Sequence, residues 1–384
     1  MTDPERTADR LRRALSDATV HIGASRVHGT ELIRRGRVLR RRRTTVAAGV
    51  TALAVVALSG VLTVGLGRVT PPDVAGSRSP SPPVTPAAPS TAPASPPRSV
   101  PPPSTVPASP RTGCVAGTAA CGMPDASTTG VPPGTTLTPH TGDLTIRTDG
   151  TLIDGWDLTG SLDVYADNVT VRNSRITSTN WWGINQRAGH TGLKVLHSTI
   201  TGVPGRGPDH GGENYAVTSG GGAVEVGYSD LSRFSTILQV GAGRIHDNYL
   251  HDVQAIRGDG GRWQGTNGIV ADAATNLTVQ HNTVLNQVPA NQGATCAIGL
   301  FTDSGPVSDV LVDGNLLGGG GYAFYGGGTA TTGVRVTGNR FSTVAQPRGG
   351  FYGPVAAWRA GGPGNVWRDN TWADGPSAGR PVVP

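Results

Sequence analysis

From Ile153 onward the chain alternates apolar and polar residues in short bursts. One pattern recurs: apolar, any, apolar, any, any, Asn or Ser, any, apolar. It reads Val169-Thr170-Val171-Arg172-Asn173-Ser174-Arg175-Ile176, then Leu193-Lys194-Val195-Leu196-His197-Ser198-Thr199-Ile200. Further copies begin at Val224, Arg244, Leu277, Val310, Val334 and Trp367, and Ile153–Leu158 is an imperfect first copy. A period of two predicts strands. The fixed polar position is Ser174, Ser198, Ser229, Asn248, Asn282, Asn315, Asn339 and Asn370, at intervals of 24, 31, 19, 34, 33, 24 and 31 residues. The shortest intervals fit one coil of a right-handed parallel β-helix, and the longer ones add an inserted loop. No copy is long enough to fold alone. Stacking sets equivalent residues of successive coils ~4.8 Å apart, so the apolar positions form one core. The Asn/Ser position then becomes a ladder that satisfies backbone groups at a bend. An antiparallel sandwich would also alternate, but it does not explain a fixed Asn or Ser after each strand.

The region before the repeats has a different pattern. Residues 44–67 carry no charge and are rich in Ala, Val and Leu. As a helix this stretch rises ~36 Å, enough to cross a hydrocarbon core of ~30 Å. Residues 1–43 precede it and end in Arg40-Arg41-Arg42-Arg43; Glu5–Ala18 fits a short amphipathic helix. Arginines beside an apolar run read as a topology signal, with this tail in the cytoplasm and the rest outside. The long basic region argues against a cleaved signal peptide. Residues 68–111 follow, with 15 prolines between Pro71 and Pro110. Such a segment builds no core and is expected to be an extended, disordered spacer. The folded domain is expected over 112–384.

Charge refines this division. Up to Arg43 there are 12 Lys/Arg against 5 Asp/Glu, and the totals of 32 and 26 leave 20 against 21 for the rest. The basic character belongs to the tail, so the folded part has no composition suited to nucleic acid. All three cysteines lie in the folded part. Cys114 and Cys121 are expected to close a local disulfide outside the membrane, and Cys296 to be a buried thiol.

Asp125–Pro132, Asp149–Gly155 and Asn168–Ser174 resemble a bacterial family of secreted right-handed parallel β-helix proteins, the broad pectate-lyase-like superfamily. The resemblance covers about residues 123–376. It implies polysaccharide lyases, hydrolases and epimerases, but also tailspikes and adhesins. Relatives often carry a His and an Asp just before a Gly-Ile. Here the stretch reads Gly265-Thr266-Asn267-Gly268-Ile269, with neither.

A Ca2+-dependent lyase needs two or three carboxylates with an Arg or Lys base, and a hydrolase needs a carboxylate pair. The folded part has two glutamates, Glu213 and Glu225, and one lysine, Lys194. The position before the ladder holds His197, Tyr228, Asp247 and His281, which stacking sets in one column, with His246, His251 and Asp252 nearby. This column is a candidate acid–base or sugar-binding surface, or a hydrogen-bonded ladder at a bend. Asp209 and Glu213 in an inserted loop are candidate metal ligands, and Asp259 with Arg257 and Arg262 lies in another insertion. Trp181, Trp182, Trp263, Tyr322 and Tyr325 are candidate sugar-stacking residues. Trp367 and Trp372 are expected to cap the core. Asn168 and Asn276 match the glycosylation triplet, but both stand at strand starts and read as structural. The expected function is polysaccharide binding at the bacterial cell surface. A polysaccharide-active enzyme and a cell-envelope scaffold for protein partners are the alternatives.

Overall fold

The computed structural model describes residues 118–205, 214–258 and 261–384. The tail, the apolar stretch 44–67 and the spacer 68–111 lie outside these residues. Among the described residues no helix is long and apolar enough to cross a membrane.

The recurring segments wind as consecutive coils of an all-β solenoid whose long stacks are parallel. Face A holds the strands before the Asn/Ser position, from Leu152–Asp154 to Val366–Arg368. Face B holds those after it, from Arg175–Ser178 to Thr371–Trp372, and face C the third strand of each coil, from Trp182–Gln186 to Gly353–Ala356. Trp156–Val164 spans two faces, pairing with Arg175–Ser178 at its start and Trp182–Gln186 at its end. Thr138–Ile146 pairs along its whole length and closes the first end.

Register stacks like on like. On face A the inward column runs Ile153, Val171, Val195, Val226, Ile245, Val279, Val312, Val336 and Trp367. On face B it runs Leu158, Ile176, Ile200, Leu231, Leu250, Val284, Leu317, Phe341 and Trp372. Face C contributes Leu162, Ile184, Val217, Leu238, Ile269, Ile298, Phe324 and Val355. These columns form one continuous core, and Trp367 and Trp372 pack against its last coils. Each fully buried Val, Leu or Ile is worth roughly 1.5–3 kcal/mol.

The Asn/Ser ladder is complete and buried. Each backbone N–H donates to the side chain one coil on. Trp156 N donates to Ser174 Oγ at 3.0 Å, Ser174 N to Ser198 Oγ at 3.3 Å and Ser198 N to Ser229 Oγ at 3.2 Å. Ser229, Asn248, Asn282, Asn315 and Asn339 continue through the next Asn Oδ1 at 2.9–3.0 Å. Each Asn amide also donates backward across the coil, as Asn315 Nδ2 does to Val279 O at 2.9 Å. No water reaches these groups, so each pair removes a penalty of roughly 1–3 kcal/mol.

Immediately before the ladder the backbone is left-handed. Gly155, Asn173, His197, Tyr228, Asp247, His281, Gly314, Gly338 and Asp369 all have φ between 47° and 69°. A second left-handed column leads into face A and includes Asn168 and Asn276, which gives both a structural role.

Residues 118–138 run outside the coils as a strap along this bend. Arg340 Nη1 donates to Cys121 O at 3.0 Å, and His281 Nε2 lies 2.9 Å from Gly122 O. Gly130 N donates to Tyr228 O at 2.9 Å, Val131 N to Thr199 Oγ1 at 3.2 Å and Thr138 N to Gly155 O at 2.7 Å. The strap therefore touches coils from near the end of the solenoid back to its beginning.

Replacing Asn315 by Leu orphans the backbone N–H of Asn282 and removes one bond each from the Asn282 amide and from the carbonyls of Val279 and Asp313, the amide keeping Ile245 O and Gln280 O and Asp313 O keeping His281 N. The expected loss is roughly 3 kcal/mol or more, measured as a fall in the urea midpoint. Asn315→Ser keeps an acceptor, as Ser198 and Ser229 do, and should lose about half as much.

Candidate functional site

The bend column brings His197, Tyr228, Asp247 and His281 together as the stacking of coils requires. A left-handed position selects Gly first and tolerates Asn, Asp and His better than other residues. The backbone alone thus explains three of these four residue types. The His197 and Tyr228 rings stack with centroids 4.7 Å apart and 6° between planes, and Tyr228 meets the His246 edge at 5.2 Å. The face that His197 and Tyr228 share is closed to a sugar ring, while both residues remain exposed at their edges.

Further along, Asp247 takes His246 Nδ1 at 2.8 Å on one oxygen and His281 Nδ1 at 2.6 Å on the other. His246 lies over Gly227 of the preceding coil, where any Cβ would strike the ring. Its Nε2 reaches Glu225 Oε1 at 3.3 Å, and Lys194 Nζ closes the chain at 3.3 Å from Glu225 Oε2. Burial pushes the Asp247 carboxyl up, but hydrogen bonds from His246 and His281 outweigh it and hold it below the usual carboxylate range. Glu225 is lowered in the same way, with Lys194 and His246 opposing its burial. A cavity of about 270 Å3 lies between Tyr228, Asp247 and His281 on one side and the strap on the other.

His251 and Asp252 form a different cluster on face B. His251 Nε2 lies 2.9 Å from Asp230 Oδ1 and its Nδ1 3.1 Å from Asp252 Oδ2, with the Tyr249 ring stacked at 4.1 Å. Burial pulls the imidazole down, but the Asp230 hydrogen bond and the charges of Asp230 and Asp252 more than offset it, leaving a raised pKa.

The loop aromatics are dispersed. Trp263 packs under Arg257, 4.2 Å from guanidinium to ring centroid. Trp181 forms a turn whose carbonyl accepts from Asn214 and Tyr215. Tyr325 stacks on Phe301 at 5.1 Å, and Tyr322 meets Tyr352 in a tilted contact at 5.7 Å. Trp182 lies under Arg187 at 4.6 Å, and Arg187 pairs with Asp163 at 2.6 Å.

Two of these residues share a column. Register on face C stacks Trp182, Tyr215, Thr236, Asn267, Cys296 and Tyr322. Gly183 and Gly268 face the core, where a Cβ would collide with Ile200 and Val284, so Trp182 and Asn267 before them face outward. Cys296 Sγ donates to Asn267 Oδ1 at 3.1 Å, and Asn267 Nδ2 donates to Thr236 Oγ1 at 3.1 Å. Burial pushes the Tyr215 phenol up to about 12 and raises the free Cys296 thiol as well, which makes that thiol unreactive. Beside this column Asn185 and Thr218 alternate with core residues and are also buried, so outer face C is shielded rather than flat. The repeat pattern did not reveal this column. Its only sequence signal is an aromatic or polar residue before Gly or Ala in Trp182-Gly183, Tyr215-Ala216, Asn267-Gly268, Cys296-Ala297 and Tyr322-Ala323.

Asp209, Glu213 and Asp259 lie outside the described residues, as does Cys114; Cys121 is disulfide-bonded. Among the described residues no group of three or more His, Cys, Asp or Glu is arranged to hold a metal ion. No family model, curated protein or solved structure matches this chain.

The raised His251 pKa fixes a sign. Its contribution to stability is full below the ordinary histidine value and is lost as pH rises through the raised one. His251→Gln should lower the melting temperature at about pH 5.5 and change it much less at about pH 9. Equal losses at both values would contradict the charged pairing with Asp230 and Asp252.

Proposed function

We propose that this chain is a membrane-anchored β-helix protein of the pectate-lyase-like kind that binds polysaccharide along face C. In this reading residues 44–67 span the bacterial cell membrane, the tail is cytoplasmic, and residues 68–111 hold the solenoid out toward the cell wall. The observation that carries it is the outward column from Trp182 to Tyr322. Five steps of ~4.8 Å make it about 24 Å long, aromatic at both ends and hydrogen-bonding between. Two stacking ends that far apart suit an extended polymer better than a small ligand. The partly exposed aromatic ends offer C–H stacking surface, while Thr236, Asn267 and Cys296 between them are buried, bonded to one another, and hold the ends at that spacing.

Binding is favoured over catalysis by the state of the carboxylates. Asp163 is paired with Arg187 and Asp272 accepts from Ser304. Asp247 and Glu225 are taken up by histidines and Lys194. Lyase or hydrolase chemistry needs carboxylates free to hold Ca2+ or to move protons.

The test is a glycan array and a depolymerisation screen on the full chain in detergent, with and without Ca2+. Binding without release of unsaturated sugars is expected. Trp182→Ala and Tyr322→Ala should each weaken binding by ~0.5–1.5 kcal/mol, about two- to tenfold. Release of unsaturated products would replace this reading with a lyase. Absence of any glycan binding would favour an envelope scaffold for protein partners.

A further inference from the structure

The outer column of face C reaches a glycine at its last coil. Tyr322 pairs in register with Gly353, where an added Cβ would lie 3.9 Å from Tyr322 Cε1. A glycine there adds no side chain to the column, and the rings of Phe351 and Tyr352 just before it are exposed instead. Among the described residues, three exposed large hydrophobic side chains fall in this one loop: Val344 at 74% exposure, Phe351 at 44% and Tyr352 at 53%. Tyr352 meets Tyr322 at 5.7 Å with 36° between planes, and Phe351 meets Tyr352 at 4.9 Å and 89°. The three rings form a corner at the end of the column.

The loop that carries these rings is tightly held. Phe351 N donates to Gly320 O at 2.9 Å and Tyr352 N to Gly321 O at 2.8 Å. Arg348 Nη2 donates to Phe351 O at 2.7 Å. A Cβ on Gly350 would stand 2.5 Å from Gly353 O and 2.6 Å from Tyr322 Cα, and one on Gly320 would stand 2.6 Å from Cys296 Cα. Successive coils therefore meet backbone to backbone here. Each ring left in water on so fixed a support forgoes burial worth roughly 1.5–3 kcal/mol. Adjacent exposed aromatics on a rigid scaffold mark a recognition surface.

We propose that Tyr322, Phe351 and Tyr352 form the terminal subsite of face C, and that it selects an uncharged, β-linked hexose polymer. This rests on the reading of face C as a polysaccharide-binding surface. Charge decides the class. Residues 282–301, 314–334 and 341–358 contain the strands and turns at this end of face C, and they hold one charged side chain, Arg348. Its Nη2 is tied to the Phe351 carbonyl. At the other end Arg187 lies on Trp182, but its charge is answered by Asp163. A uronate polymer brings a carboxylate on every sugar and needs cations to meet them.

Linkage decides the geometry. A β-linked hexopyranose with equatorial substituents carries axial C–H bonds on both faces, which gives an aromatic ring flat apolar surface to stack on. Such a chain is also extended, as the straight column is, whereas an α-linked chain coils away from a line. The Tyr322 and Tyr352 centroids, 5.7 Å apart, are separated by about the length of one pyranose unit, so consecutive sugars each meet a ring. Phe351 adds apolar surface beside Tyr352.

Calorimetric titration of the full chain in a zwitterionic detergent tests this with cellohexaose, its α-linked counterpart maltohexaose, and hexagalacturonate. Cellohexaose should bind about tenfold more tightly than either of the others. Tyr352→Ala should weaken cellohexaose binding about two- to tenfold, and Tyr352→Phe should keep most of it, because the stacking face remains. The melting temperature reports that each variant is folded; if Tyr352→Ala unfolds the chain, Phe351→Ala is the second variant and should lose binding in the same direction. Failure to bind cellohexaose, a preference for maltohexaose or hexagalacturonate, or cellohexaose binding untouched in the folded variant overturns the proposal. Glycan binding that Trp182→Ala weakens and Tyr352→Ala does not overturns this subsite alone and leaves face C as the binding surface. Absence of binding to any glycan removes both.

Discussion

The solenoid depends on one hydrogen bond repeated along its length. At each bend a buried N–H has no partner in its own coil, and the side chain one coil ahead supplies it. An orphaned N–H costs roughly 1–3 kcal/mol, a large share of the 5–15 kcal/mol that keeps a typical domain folded. This forces a short acceptor side chain at the same place in every coil. It also locks the register, because a one-residue slip would bury the neighbouring residue and expose the core.

That constraint is why so much of the fold was legible in the sequence. The Asn/Ser position survives loop insertions of any length, since it answers to the backbone and not to its neighbours in sequence. The apolar residues flanking it on faces A and B were read off with it, and their stacking follows the expected order. Face C was not legible. Its strands follow insertions of variable length, such as those before Tyr215 and Thr266, so no fixed offset from the ladder finds them.

The candidate site was legible in part. Stacking joined His197, Tyr228, Asp247 and His281 as expected, while His251 and Asp252 went to another face. Residue identity misleads at the column, because left-handed backbone favours the same Asn, Asp and His that acid–base chemistry uses. The strap could not be seen from the repeat at all: Gly122 and His281 are 159 residues apart. Likewise Asn267, in the stretch that lacks the His/Asp pair, belongs to a polar string with Thr236 and Cys296 that the sequence did not reveal.

The ladder also has a direction. In its backbone N–H bonds every acceptor belongs to the later coil and every donor to the earlier one, from Trp156 and Ser174 to Asn339 and Asn370. Removing the first coil takes away a donor and leaves an acceptor with spare lone pairs. Removing the last strips Asn339 of its partner in a dry interior. A chain emerging from its N-terminus therefore carries an unmet bond at its growing edge until the following coil arrives.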